Sequence, residues 1–139
     1  LFNKSTFILI AFALFFSSAA IADNVDYDKE LDTIEQSLKT DIGYAIEKID
    51  LALSSESLLT SPQHSRLYML QGTKNLYLGH FLEADKALDE ALTYDPLGEE
   101  LTNIYLLKIT ANIGLSNYKK AFALLEDNLS RIDSYQDQS

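Results

Sequence analysis

The chain has 139 residues, a formal net charge of −10 from 21 acidic and 11 basic side chains, and no cysteine. That length fits a single domain and excludes a long repeat array. The acidity argues against nucleic acid or an anionic membrane surface as partner, since either would be repelled, and the lack of thiols leaves helix packing to hold the fold without disulfides or thiolate metal sites.

In chain order, Lys4 is followed by an apolar run from Phe7 to Phe16 and then by Ser-Ser-Ala-Ala-Ile-Ala, which is the order of a secretory signal peptide. Phe7 to Ala22 falls short of the roughly 20 residues that span a bilayer, and no cationic stop follows. Cleavage after Ala22 is expected, leaving residues 23–139 as the mature domain, and a cysteine-free exported chain fits a bacterial periplasm. Phe2, Phe7, Phe12, Phe15 and Phe16 all lie in the leader, so the whole-chain hydrophobicity overstates what the mature domain can bury. Residues 23–28 are polar and acidic. Leu31, Ile34, Leu38, Ile42, Ala45, Ile49 and Leu53 then follow at three- and four-residue steps, which predicts helix over about 28–54, as one rod or as two helices bent near Thr40 to Gly43.

Ser61-Pro62 supplies a cap and a first-turn proline for a helix reaching about Leu78. Gly79 breaks it, and a helix over 81–94 follows, with Ala84, Ala87 and Ala91 on a narrow face between Phe81, Leu88 and Leu92. Asp95-Pro96 reads as the junction to the next helix, with Pro96 as a first helical residue and the helix body over 97–115. A turn at Leu115 to Asn117 leads to a last helix over 118–132, and 134–139 carries no apolar pattern. No segment alternates with period two, so strands are not expected.

Gly79, Phe81, Ala84, Leu88, Ala91 and Pro96 stand at the offsets of the second helix of a tetratricopeptide repeat, and Tyr68 and Gly72 stand where that family has the large aromatic and the helix-contact glycine of its first helix. The segment from Ser65 to Gly98 therefore resembles one such repeat. Gln71, Lys74 and Asn75 depart from the family pattern. Two weaker copies flank it: Tyr105, Tyr118, Ala121 and Leu125 downstream, with Asn128 replacing an alanine and Asn112 repeating Asn75, and Ile42, Ala45, Ile49 and Ala52 upstream. The resemblance implies an all-α solenoid of antiparallel helix pairs, with repeats over about 26–59, 65–98 and 102–135 and a degenerate first unit.

Candidate chemistry is sparse. His64 and His80 are expected as exposed turn histidines, one before a helix and one in a turn, with no carboxylate or second histidine at metal-ligand spacing on the same helical face. The acidic run Asp23, Asp26, Asp28, Glu30 and Asp32 lacks the glycine and terminal glutamate of a calcium loop. Neither a phosphate loop nor a nucleophile elbow is present, so no enzyme, cofactor or metal is expected. Asn128-Leu129-Ser130 matches a glycosylation sequon and falls inside a predicted helix. The resemblance instead implies binding along the inner face of the first helices: Arg66, Met69, Thr73, Leu76 and Tyr77 of the central unit, then Asn103, Leu106, Thr110, Ile113 and Gly114 of the last. Met and Tyr among polar groups suit a protein or peptide partner, although Arg66 alone remains of the basic residues with which the family clamps a terminal carboxylate. The expected function is a non-catalytic exported scaffold. The other reading is the sensory or docking head of a longer membrane-bound signalling protein of diguanylate cyclase or histidine kinase type.

Overall fold

The computed structural model describes residues 26–136, so the expected leader and its cleavage point lie outside the described residues. Among these residues the chain forms six α-helices: α1 (Tyr27–Thr40), α2 (Ile42–Ser54), α3 (Ser61–Tyr77), α4 (Phe81–Leu92), α5 (Gly98–Gly114) and α6 (Tyr118–Gln136), with a 3-10 turn at Glu56–Leu58. No described residue lies in a strand.

The apolar stripe over 28–54 resolves into two helices. The Asp26 side chain accepts from the Lys29 N–H (3.2 Å) and starts α1, which buries Leu31, Ile34 and Leu38. At Asp41 the backbone leaves the helix (φ −146°, ψ 82°), and the carboxylate accepts from the Tyr44 N–H (3.1 Å) to start α2. Ala45 and Ile49 are buried, but Ile42 is 38% exposed although it continues the stripe, because it opens a helix that turns back on α1.

At α3 the cap is Thr60 rather than the expected Ser61. Its N–H donates to Gln63 Oε1 (3.0 Å), one half of a capping box, and Pro62 occupies the first turn, where a missing N–H costs nothing. Past the end of α3, Gly79 adopts φ +74°, which lets the His80 N–H reach back to the Asn75 carbonyl (2.8 Å). Ser116 (φ +57°) repeats that left-handed turn after α5, where the Asn117 N–H donates to the Asn112 carbonyl (2.8 Å). Pro96 is not the first residue of α5. It is buried in the linker between Asp95 (φ +52°) and the extended cap residue Leu97, and the helix begins at Gly98. At the other end of the chain α6 runs on to Gln136, past the expected limit near 132.

Consecutive helices pack as antiparallel-like pairs, α1 on α2, α3 on α4 and α5 on α6, and α4 also meets α5. α3 touches α1, α2 and α5 as well, so the first members of successive pairs lie side by side. The most extensive contact is that of α3 with α4. A Cβ on Gly72 would stand 2.6 Å from Leu88 Cγ, and Ala84 and Ala91 are fully buried (0% exposed) on the same narrow face. Gly114 makes a second notch, where a Cβ would lie 2.5 Å from the Phe81 ring.

Apolar burial falls into two clusters. One joins Leu31, Ile34, Leu38, Ala45, Ile49, Leu67 and Leu70 from α1, α2 and α3. The other centres on Leu88, Ala91 and Ile104 from α4 and α5, with Tyr68, Met69, Leu92 and Leu107 packed around it.

Candidate binding face and the charge cluster behind it

The expected binding residues occupy matching stripes on α3 and α5, which are in contact. On α3, Arg66 is engaged: Nη2 donates to Asp32 Oδ1 (2.6 Å) and Glu35 Oε2 (2.7 Å), tying α3 to α1. Met69 is half-buried against the second apolar cluster, Thr73 donates its hydroxyl to the Met69 carbonyl (2.9 Å), and Leu76 is half-buried. Tyr77 stands out at 61% exposure. On α5, Asn103, Leu106 and Thr110 are exposed, Leu106 at 48%, and Thr110 donates to the Leu106 carbonyl (3.0 Å). The accessible part of the face is therefore Tyr77 with Asn103, Leu106, Thr110 and Ile113, the last 51% exposed. Gly114, expected beside them, instead receives the Phe81 ring, so it serves packing between α4 and α5.

His64 also differs from its expected place. It lies within α3, half-buried, stacked on Tyr94 at 4.7 Å between ring centroids and 10° between planes, with Nδ1 3.0 Å from the Thr60 carbonyl oxygen. Tyr68 also stacks on Tyr94, at 6.0 Å between centroids, and donates its hydroxyl to Glu56 Oε2 (2.7 Å). Burial and the Glu56 carboxylate both push the Tyr68 phenol above its ordinary value, which keeps it the donor. His80 stays exposed at the start of α4.

Behind the face lies a charge cluster. Asp85 is 7% exposed on the buried side of α4. Its Oδ1 accepts from Lys108 Nζ (2.7 Å) and Asn112 Nδ2 (2.9 Å) of α5, and its Oδ2 accepts from Lys120 Nζ (2.6 Å) of α6. Lys108, 2% exposed, also donates to Asp89 Oδ1 (2.6 Å), so two aspartates balance two lysines. Burial alone would raise the Asp85 carboxyl, but the bonds from Lys108 and Lys120 outweigh it and hold the group below its ordinary value. With both oxygens taken by ammonium and amide groups, the carboxylate locks three helices together and is not presented to solvent as a base. A weaker parallel is Lys74, which departs from the family pattern at a buried position and is answered by Asp50 of α2 at 2.8 Å. These charges were readable only as breaks in an apolar stripe: Asp85 sits between Ala84 and Leu88, and Lys108 and Asn112 flank Ala111.

The outer edge of α6 is apolar and uncovered among the described residues. Tyr118, Phe122, Leu125, Leu129 and Ile132 are 57, 67, 37, 52 and 36% exposed. Beside them a groove of about 190 Å³ runs between α5 and α6, lined only by Ile109, Ile113, Tyr118, Ala121, Phe122 and Leu125. Sequence reasoning used Tyr118 and Leu125 as repeat markers and missed the edge they form, although its four- and three-residue spacing is in the sequence.

Among the described residues no group of three or more His, Asp or Glu side chains is placed to hold a metal, and no helix is long and apolar enough to cross a membrane. No protein-family model, curated protein or solved structure matches the chain.

Proposed function

We propose that this chain is a non-catalytic, exported scaffold, a short solenoid similar to tetratricopeptide repeats, that binds a protein or peptide segment along the face shared by α3 and α5. The observation that carries this reading is the side-by-side placement of α1, α3 and α5, with Tyr77, Leu106 and Thr110 exposed on corresponding stripes. The notch of Gly72 over Leu88 and the burial of Ala84 and Ala91 support the repeat resemblance, since those are the positions at which such helix pairs nest. An aromatic and an aliphatic side chain, with Asn103 and Thr110 exposed on the same stripe as Leu106, offer apolar contact area and hydrogen-bonding groups, the composition of an interface.

Tyr77→Ala and Leu106→Ala test this, because neither residue belongs to a buried cluster. Each variant should keep the wild-type melting temperature yet lose a captured partner, with binding weakened by about 1–3 kcal/mol if the residue is a hot spot. Titration of that partner against wild type and variants is the measurement. Undiminished affinity in both variants would rule out this face.

A further inference from the structure

We propose that the α6 edge is a self-association surface, on which a second copy of the chain docks with its own α6 antiparallel about a two-fold axis. This goes beyond the partner-binding reading and does not depend on it, since it uses α6 and leaves Tyr77 and Leu106 aside.

Tyr118, Phe122, Leu125, Leu129 and Ile132 succeed one another at steps of four, three, four and three residues. That is the a/d rhythm by which one helix presents a continuous seam to another. Inside a folded domain such a seam would be buried, yet here every member is more than a third exposed. Alongside it the apolar groove between α5 and α6 provides a recess at the seam, large enough for a side chain such as Phe122 of the other copy. The α5–α6 pair of each copy would then form half of a four-helix layer.

The flanking charges choose the occupant and its direction. On one side of the seam Ala121 and Asn128 are buried within the chain, so they offer nothing to a partner. On the other side Lys119, Glu126 and Asp133 follow at seven-residue steps and all are exposed. A parallel partner would set this charged flank against the buried flank of the other helix, and no charge would find a counterpart. An antiparallel copy sets charged flank against charged flank. Lys119 of each copy then meets Glu126 of the other, whereas the register one heptad on, which pairs Lys119 with Asp133, sets Glu126 against its own symmetry mate. Two-fold symmetry makes each such pair twice. The net charge of −10 repels the copies at a distance, but that repulsion is screened beyond about 8 Å at physiological salt, and the local pairs set the register.

Sedimentation equilibrium of the purified protein over micromolar to millimolar concentrations tests the proposal. The expected result is a monomer–dimer equilibrium. Phe122→Glu and Leu129→Glu, at exposed positions outside both apolar clusters, should abolish the dimer with helix content and melting of the monomer unchanged. Lys119→Glu should weaken it about tenfold, and adding Glu126→Lys and Asp133→Lys to Lys119→Glu should restore it by exchanging the signs. A protein that stays monomeric throughout overturns the proposal, as does a dimer that survives Phe122→Glu with Leu129→Glu, or a sign-exchanged variant as weak as Lys119→Glu alone. Binding of a basic amphipathic helical peptide at this edge by an otherwise monomeric protein would likewise overturn it in favour of a different partner.

Discussion

Asp85 shows how much a single residue can hold in this fold. It joins α4 to Lys108 and Asn112 of α5 and to Lys120 of α6 while almost wholly buried. Removing a partner from a buried ion pair strands the other charge, so Asp85→Ala should cost about 3–5 kcal/mol in urea unfolding. Lys120→Ala should cost only about 1 kcal/mol, because that side chain is 40% exposed and water can replace its partner. The Asp85 carboxyl sits below its ordinary 3.8 in the folded state. Its contribution is therefore complete above that value and is lost as the pH falls through the depressed one. Stability measured against pH should fall away below about pH 4, and Asp85→Asn should make that acid limb shallower. None of this was legible beforehand, since a charged residue on an apolar stripe looks like a flaw until its counterions arrive from helices distant in sequence.

The helices themselves were largely written in the sequence, because three- and four-residue apolar spacing is a local property. Their ends were less so. Ser61-Pro62 masked the adjacent Thr60–Gln63 cap, and the stripe through Ile42 left one rod or a bend near Thr40 to Gly43 equally open, since the helix after the Asp41 turn keeps the same phase. The pairing of α3 with α4 was more readable, because glycine and alanine at a contact leave a gap that only a bulky neighbour can fill. Gly72 beneath Leu88 tests this at the level of two helices. Gly72→Ala gains roughly 1 kcal/mol of helix propensity, but its Cβ would collide with Leu88, and overpacking costs about 1–3 kcal/mol. The net effect should be destabilising in the wild type and reversed in a Leu88→Ala background, where the collision is gone. A double-mutant cycle in denaturant gives the coupling directly, and additivity of the two changes would contradict the contact.

At the scale of the molecule, the order of helix pairs followed from recurrence of the same residue types, and the accessible part of the proposed face did not. Arg66, Met69 and Leu76 stand at offsets that the repeat resemblance marks for binding, yet an ion pair to α1 and the second apolar cluster claim the first two. Offsets along a chain say which way a side chain leaves its helix, but not what stands opposite. The two clusters also meet in a single element: Leu67 and Leu70 of α3 belong to one, while Tyr68 and Met69 pack around the other. α3 is the party wall of a two-room house. If α1 and α2 breathe open, the second room keeps its roof, and if α6 frays, the first is undisturbed. Only simultaneous collapse of both exposes the wall, so its amides should trade hydrogen for deuterium more slowly than those of any other helix, and equal rates in α1 and α3 would show that the rooms are one.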